Sequence, residues 1–101
     1  MKIITINDVK YEVINNVRNG LDEEILEEKI TDYFDEYDYI VGDWAYGKLR
    51  LKGFCEPTNK NCKKYNDITG LDDYITNRCA YDCRWFALKK KSNWKPIFNL
   101  L

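Results

Sequence analysis

Apolar side chains in this chain recur with two periods, and the places where one gives way to the other divide it into strands and helices. Over Lys48 to Phe54 the period is two. Leu49 and Leu51 point to one side and Lys48, Arg50 and Lys52 to the other, as a half-buried strand requires. Over Leu21 to Tyr37 the period is helical: Leu21, Ile25, Leu26, Ile30, Tyr33, Phe34 and Tyr37 make one stripe, with Glu23, Glu24, Glu27, Glu28 and Asp32 off it. This predicts a helix over that span, opened by Asp22 as N-cap, with Glu23 and Glu24 placed well against its dipole.

The remaining elements follow from the same signals. Lys2 to Ile6 and Val9 to Ile14 read as strands joined at Asn7-Asp8, residues that tolerate the left-handed backbone of a tight hairpin. Tyr39 to Val41 begins a third strand. "GDWAYG", Gly42 to Gly47, reads as a turn of about six residues leading into the Lys48 strand, with Asp43 bonding backbone amides inside it. Thr69 to Asp72 has capping-box form and opens a short helix carrying Leu71, Tyr74, Ile75 and Cys79 on one face. Trp85, Phe86, Ala87 and Leu88 are apolar on both faces, so that strand is expected at the centre of its sheet. The order is β-β-α-β-β-α-β: an α+β domain with a mixed or antiparallel sheet and its helices on one face. Residues 1–101 form one domain, with 15% aromatic residues to fill a core and an apolar extension at residues 92–101. That extension is expected to cover the sheet or to support weak self-association of an otherwise monomeric protein.

Charge and composition remove several functions. The net charge of −1 creates no field that attracts nucleic acid or membrane as a whole. The charges are segregated all the same. Asp22 to Asp43 holds ten acids against the single base Lys29, and the chain after Asp82 holds five bases and no acid. The amino terminus has no signal-peptide pattern and no segment is apolar enough to span a bilayer, so the expected compartment is the cytoplasm. There is no histidine, which eliminates Ser-His and Cys-His nucleophile pairs and every His-containing metal site. Neither a Walker pattern nor GxGxxG is present. The chain is read as a non-enzyme without a cofactor.

Two candidate sites remain. One is the segment from 42 to 52, where Asp43, Trp44 and Tyr46 adjoin Lys48, Arg50 and Lys52. Rings beside cations on a strand face suit either a partner protein or single-stranded RNA. Of the two rings, Trp44 is the one expected to pack on the core. The other candidate is the set Cys55, Cys62, Cys79 and Cys83, spaced C-x6-C and C-x3-C. Four thiolates can close a zinc site that pins the polar segment 55–70, or a pair can serve thiol redox chemistry. In a reducing compartment the plainer expectation is reduced cysteines packed as small apolar residues, with a Cys55–Cys62 disulfide out of place.

"DYIVGDWAYGKLRLKGF" at Asp38–Phe54, followed by "CAYDCRWFALKK", resembles the YutD-like family of small bacterial proteins. The likeness extends to the acidic helix and up to about Lys91. It implies a compact cytoplasmic α+β domain and brings no catalytic residues. By the same resemblance Cys79 and Cys83 fall on family cysteine positions, while Cys55 and Cys62 sit in a variable loop. The expectation is a binding or regulatory module acting through residues 42–52 and the basic strand face.

Overall fold

The computed structural model of the chain describes residues 2–60, 62–78 and 83–91. Lys2–Ile6 (β1) and Val9–Val17 (β2) form an antiparallel hairpin with Ile6 opposite Val9. Asn7 and Asp8 between them take φ of 52° and 69°, the left-handed backbone that a two-residue turn demands. β2 continues past Ile14 because a bulge there resets the alternation, leaving Ile14 45% exposed while Val13 and Asn15 stay paired to the sheet.

Glu23–Lys29 (α1) starts as its sequence indicates: the Asp22 carboxylate accepts the Ile25 amide at 3.2 Å. It stops well short of Tyr37. Ile30 is extended, and Asp32–Phe34 form a separate 3-10 turn. Ile30 and Thr31 are β-branched residues in succession, which weakens a helix. Thr31 Oγ1 also accepts the Tyr33 amide, a local bond that competes with helix. Asn7 Nδ2, reaching over from the first turn, donates to the carbonyls of Ile30 and Glu27 at 3.1 and 3.4 Å. Those acceptors are thus satisfied without further helix.

Tyr39–Ala45 (β3), Lys48–Phe54 (β4) and Trp85–Lys90 (β5) complete a five-stranded sheet in the order β1-β2-β5-β3-β4, with every neighbouring pair antiparallel. The chain is α+β with the element order read from its periodicity. β5 sits in the middle, inserted between two hairpins, which explains why Phe86, Ala87 and Leu88 are all fully buried.

The placement of the helices differs from expectation. Ile4, Ile6, Tyr11, Leu26, Ile30, Phe34, Ile40, Leu49, Phe86 and Leu88 form one core, under α1. Tyr39, Val41, Phe54 and Ala87 form a second, against Tyr74 and Ile75 of Leu71–Arg78 (α2). Ile40 and Val41 are neighbours on β3, as are Phe86 and Ala87 on β5. Alternation therefore puts the two cores on opposite faces of the sheet, with one helix on each. A central strand apolar on both faces needs both faces covered, which one layer of helix cannot supply.

The polar segment 55–70 is held by backbone pairing. The Cys55 amide donates to the Asn66 carbonyl at 2.7 Å, and Ile68 donates to Cys55 O at 2.9 Å. Asn66, 7% exposed, donates its side-chain amide to Gly53 O at 2.8 Å. Asp67 caps the 3-10 turn Ile68–Gly70 that leads into α2, accepting from Thr69 N and Oγ1 at 2.9 and 2.8 Å. The cap is therefore Asp67 and not Thr69, because Thr69 is itself already inside helical backbone. The extension at 92–101 and Cys79 lie outside the described residues. Among the described residues no helix is long and apolar enough to cross a membrane.

Candidate functional site

The stretch expected to be a six-residue turn is mostly strand. β3 runs to Ala45 and β4 resumes at Lys48, so only Tyr46 and Gly47 form the bend, at φ of 55° and 75°. Both central residues being left-handed makes this the hairpin turn that matches strand twist. Gly47 suits the position, whereas a tyrosine there is strained by about 1 kcal/mol. Gly42 is needed for a different reason than turn geometry. A Cβ on it would meet the Phe86 ring at 2.3 Å, so glycine lets β3 lie flat against the central ring of the core.

Asp43 is likewise in a strand, and it bonds no turn amide. It is 1% exposed and faces Arg50 directly across the β3–β4 ladder. Arg50 grips it with two parallel bonds, Nε to Oδ1 at 3.0 Å and Nη2 to Oδ2 at 2.7 Å. That fork geometry is the strong form of the pair. The bond to Asp43 raises the Arg50 pKa further, so the guanidinium stays charged. Arg50 Nη2 also donates to the carbonyl of Arg78 at 3.2 Å, tying the hairpin to the end of α2. Nearby, burial together with the Asp43 charge pushes the Tyr74 phenol up.

Trp44 projects from the opposite face. It packs against the α1-side core, and its indole N–H donates to Gly20 O at 2.8 Å. The guanidinium of Arg84 lies 4.5 Å from the ring centroid, and Arg84 Nη2 reaches Asn19 O at 2.9 Å. Trp44 is thus held from two sides, as expected of the ring assigned to packing. Arg84 was not singled out in the sequence, because its partner faces it only through the β3–β5 pairing, where Trp44 N donates to Arg84 O at 3.1 Å. Tyr46 has the other fate: its relative exposure is 102%.

The expected basic face divides. Lys48 is exposed beside the turn. Lys52 bends toward the far end of β4, its ammonium 5.3 to 5.6 Å from the rings of Phe54, Tyr65 and Tyr74. The six residues therefore form three groups: a locked Asp43–Arg50 pair with Trp44 behind it, an exposed Tyr46–Lys48 tip, and Lys52 among rings.

Cys55 is bonded to Cys62 in a disulfide with Cα atoms 6.2 Å apart, and Cys83 is also disulfide-bonded. No described cysteine is a free thiol, in contrast to the reduced state expected. Cys55 follows Phe54, which pairs with Tyr39, whereas Cys83 Sγ lies beside Trp44 O at 3.9 Å. Tyr39 and Trp44 are at opposite ends of β3, roughly 17 Å apart at strand rise. The structure does not bring these cysteines to one point. Among the described residues no group of three or more His, Cys, Asp or Glu is arranged to hold a metal ion.

Comparison with known proteins places the chain in company. The family model "Putative antitoxin YutD-like" matches residues 5–89. A Bacillus subtilis (strain 168) protein named "Putative antitoxin YutD" is 40% identical over 88 residues, which span 87% of this chain and 97% of that one. The solution NMR structure of protein yutD from B. subtilis superposes with a TM-score of 0.73 at 38% identity, covering 90% of this chain and 83% of that one.

Proposed function

The chain belongs to the YutD-like family, and from that premise we propose a non-enzymatic module that binds a partner protein through the β3–β4 tip. The antitoxin name borne by the B. subtilis relative fits a protein whose work is to hold another macromolecule. The observation that carries the reading is Tyr46. A large ring stands fully in water at a left-handed turn position that asparagine or glycine would fill with less strain, so the fold needs the turn but not this side chain. Strain kept at an exposed position is a pointer to function. The Asp43–Arg50 fork beneath it fixes the tip, so little freedom is lost on docking.

RNA is the less supported partner. Arg50 is engaged by Asp43 and Lys52 by three rings, which leaves Lys48 as the basic residue of that strand face with neither an acid nor a ring as partner among the described residues. The setting we propose is the cytoplasm, and no cofactor enters the reading. A four-cysteine zinc centre would require the Cys55–Cys62 bond to be reduced and the chain to refold around the ion.

The test is co-purification from native lysate using wild type and Tyr46→Asn, each with and without nuclease. Asn suits the left-handed turn, so the variant folds at least as well. The expected result is a protein that survives nuclease and disappears with Tyr46→Asn. Retention by the variant, or loss on nuclease treatment, overturns the proposal.

A further inference from the structure

β4 is an edge strand, and its outer side is only half closed. The amide of Trp44 donates to Arg84 just ahead of β5 and the carbonyl of Asp38 accepts from Lys90 of β5, so Tyr39, Val41, Asp43 and Ala45 direct their backbone groups at β4. Their partners Phe54, Lys52, Arg50 and Lys48 face inward. Leu49, Leu51, Gly53 and Cys55 therefore turn their N–H and C=O groups outward. Asn66 takes the Gly53 carbonyl and residues 66–68 pair with Cys55. The N–H and C=O of Leu49 and Leu51 meet no partner among the described residues. A cleft of about 330 Å³ adjoins this open stretch at Leu51 to Gly53 and is lined also by Tyr33, Tyr37, Lys63 and Tyr65.

We infer that the open edge of β4 accepts an extended segment of the partner protein as a sixth strand, and that this segment alternates acidic with apolar residues. The inference deepens the protein-binding reading above and rests on it. Added strands bind through main-chain bonds and are chosen by alternate side chains. Here one set of alternate positions runs past Lys48 and Lys52, which no carboxylate pairs among the described residues and which flank the Asp43–Arg50 fork, and calls for acids, while the other runs past Leu49 and Leu51 and calls for apolar groups. Lys52 and Lys63 outweigh Glu36 in the cleft lining, in the same sense. A second copy of this chain does not fit. β4 against β4 would oppose Lys48, Arg50 and Lys52 to themselves, and β1 carries no acid to offer.

The probe is an acetylated, amidated hexapeptide of alternating glutamate and valine, titrated into the full chain and followed by amide shifts. Controls are a lysine-valine counterpart and the glutamate-valine peptide N-methylated at alternate residues. Leu51→Pro removes the outward N–H and Leu51→Ala keeps it, both having lost the leucine side chain. Expected are saturable shifts at Leu49, Leu51 and Gly53 and affinity at least tenfold above both control peptides. A further loss of at least tenfold is expected for Leu51→Pro relative to Leu51→Ala. Should Leu51→Pro fail to fold, the N-methylated peptide still decides. Equal binding of the lysine-valine or N-methylated peptide overturns the inference. Tyr46→Asn is expected to keep the peptide, so failure of the edge and failure of the tip are read separately.

Discussion

A carboxylate with 1% of its surface exposed needs hydrogen-bond donors held in place around it, and for Asp43 Arg50 supplies them. Arg50→Met removes both bonds to Asp43, together with the one to the Arg78 carbonyl, and leaves the acid stranded. The expected cost is about 2 kcal/mol in urea unfolding, below the value for a fully buried pair because the guanidinium is half in water. Replacing both residues together, Asp43→Leu with Arg50→Met, should cost less than Arg50→Met alone; a larger loss would mean the fork is a net source of stability. Tyr46→Asn should gain about 0.5–1 kcal/mol by relieving the left-handed tyrosine. Tyr39 gives a pH signature. Burial first, and then the bond its hydroxyl donates to Glu56 Oε2 at 2.6 Å, raise its pKa to about 12 from 10.0. The folded state thus holds the phenol proton more tightly, and the stability this supplies is full below pH 10 and is lost as pH rises toward 12. Tyr39→Phe should flatten that part of an alkaline unfolding profile. The residues of the tip were legible as types, but who faces whom was not. A six-residue turn and a two-residue turn differ in register, and register decides that Asp43 meets Arg50.

At the scale of elements, starts were easier to read than ends. The first turn and the Asp22 cap use side chains adjacent in sequence to the backbone they serve. The end of α1 depends on Asn7, more than twenty residues away from the Ile30 carbonyl it bonds. Asn7→Ala should cost about 1–2 kcal/mol, since it removes that bond and places alanine on left-handed backbone. Urea unfolding measures it, and an unchanged midpoint would show that neither the bond nor the left-handed alanine weighs on stability. β3 runs further than its local residues indicate for a related reason. Gly42 and Asp43 look like turn residues, yet Phe86 requires the first and Arg50 satisfies the second, so packing overrode local propensity.

For the whole molecule, the central β5 joins two hairpins, and its two apolar faces require a helix on each. The segment 55–70 is then a strap from the end of β4 to α2, closed by the Cys55–Cys62 bond. Cys55→Ser with Cys62→Ser should cost about 2.5 kcal/mol under oxidising conditions by loop-closure entropy. That corresponds to a Tm lower by roughly 10 °C for a domain of this size. Reductant should lower the wild-type Tm by more than that of the double variant, which keeps the disulfide of Cys83. Equal melting of the two proteins in oxidant would show that backbone pairing alone holds the strap.

By itself the sequence determined the class, the element order, the centrality of β5, the first turn and the start of α1. Each of these is written in hydrophobic period or in residues that act on their chain neighbours. Tertiary structure alone decided where α1 stops, how far β3 extends, which face α2 covers, and that Asp43 is a buried ion-pair member. Each of those depends on a contact between residues distant in the chain, and period and local propensity carry no record of which distant residue will arrive.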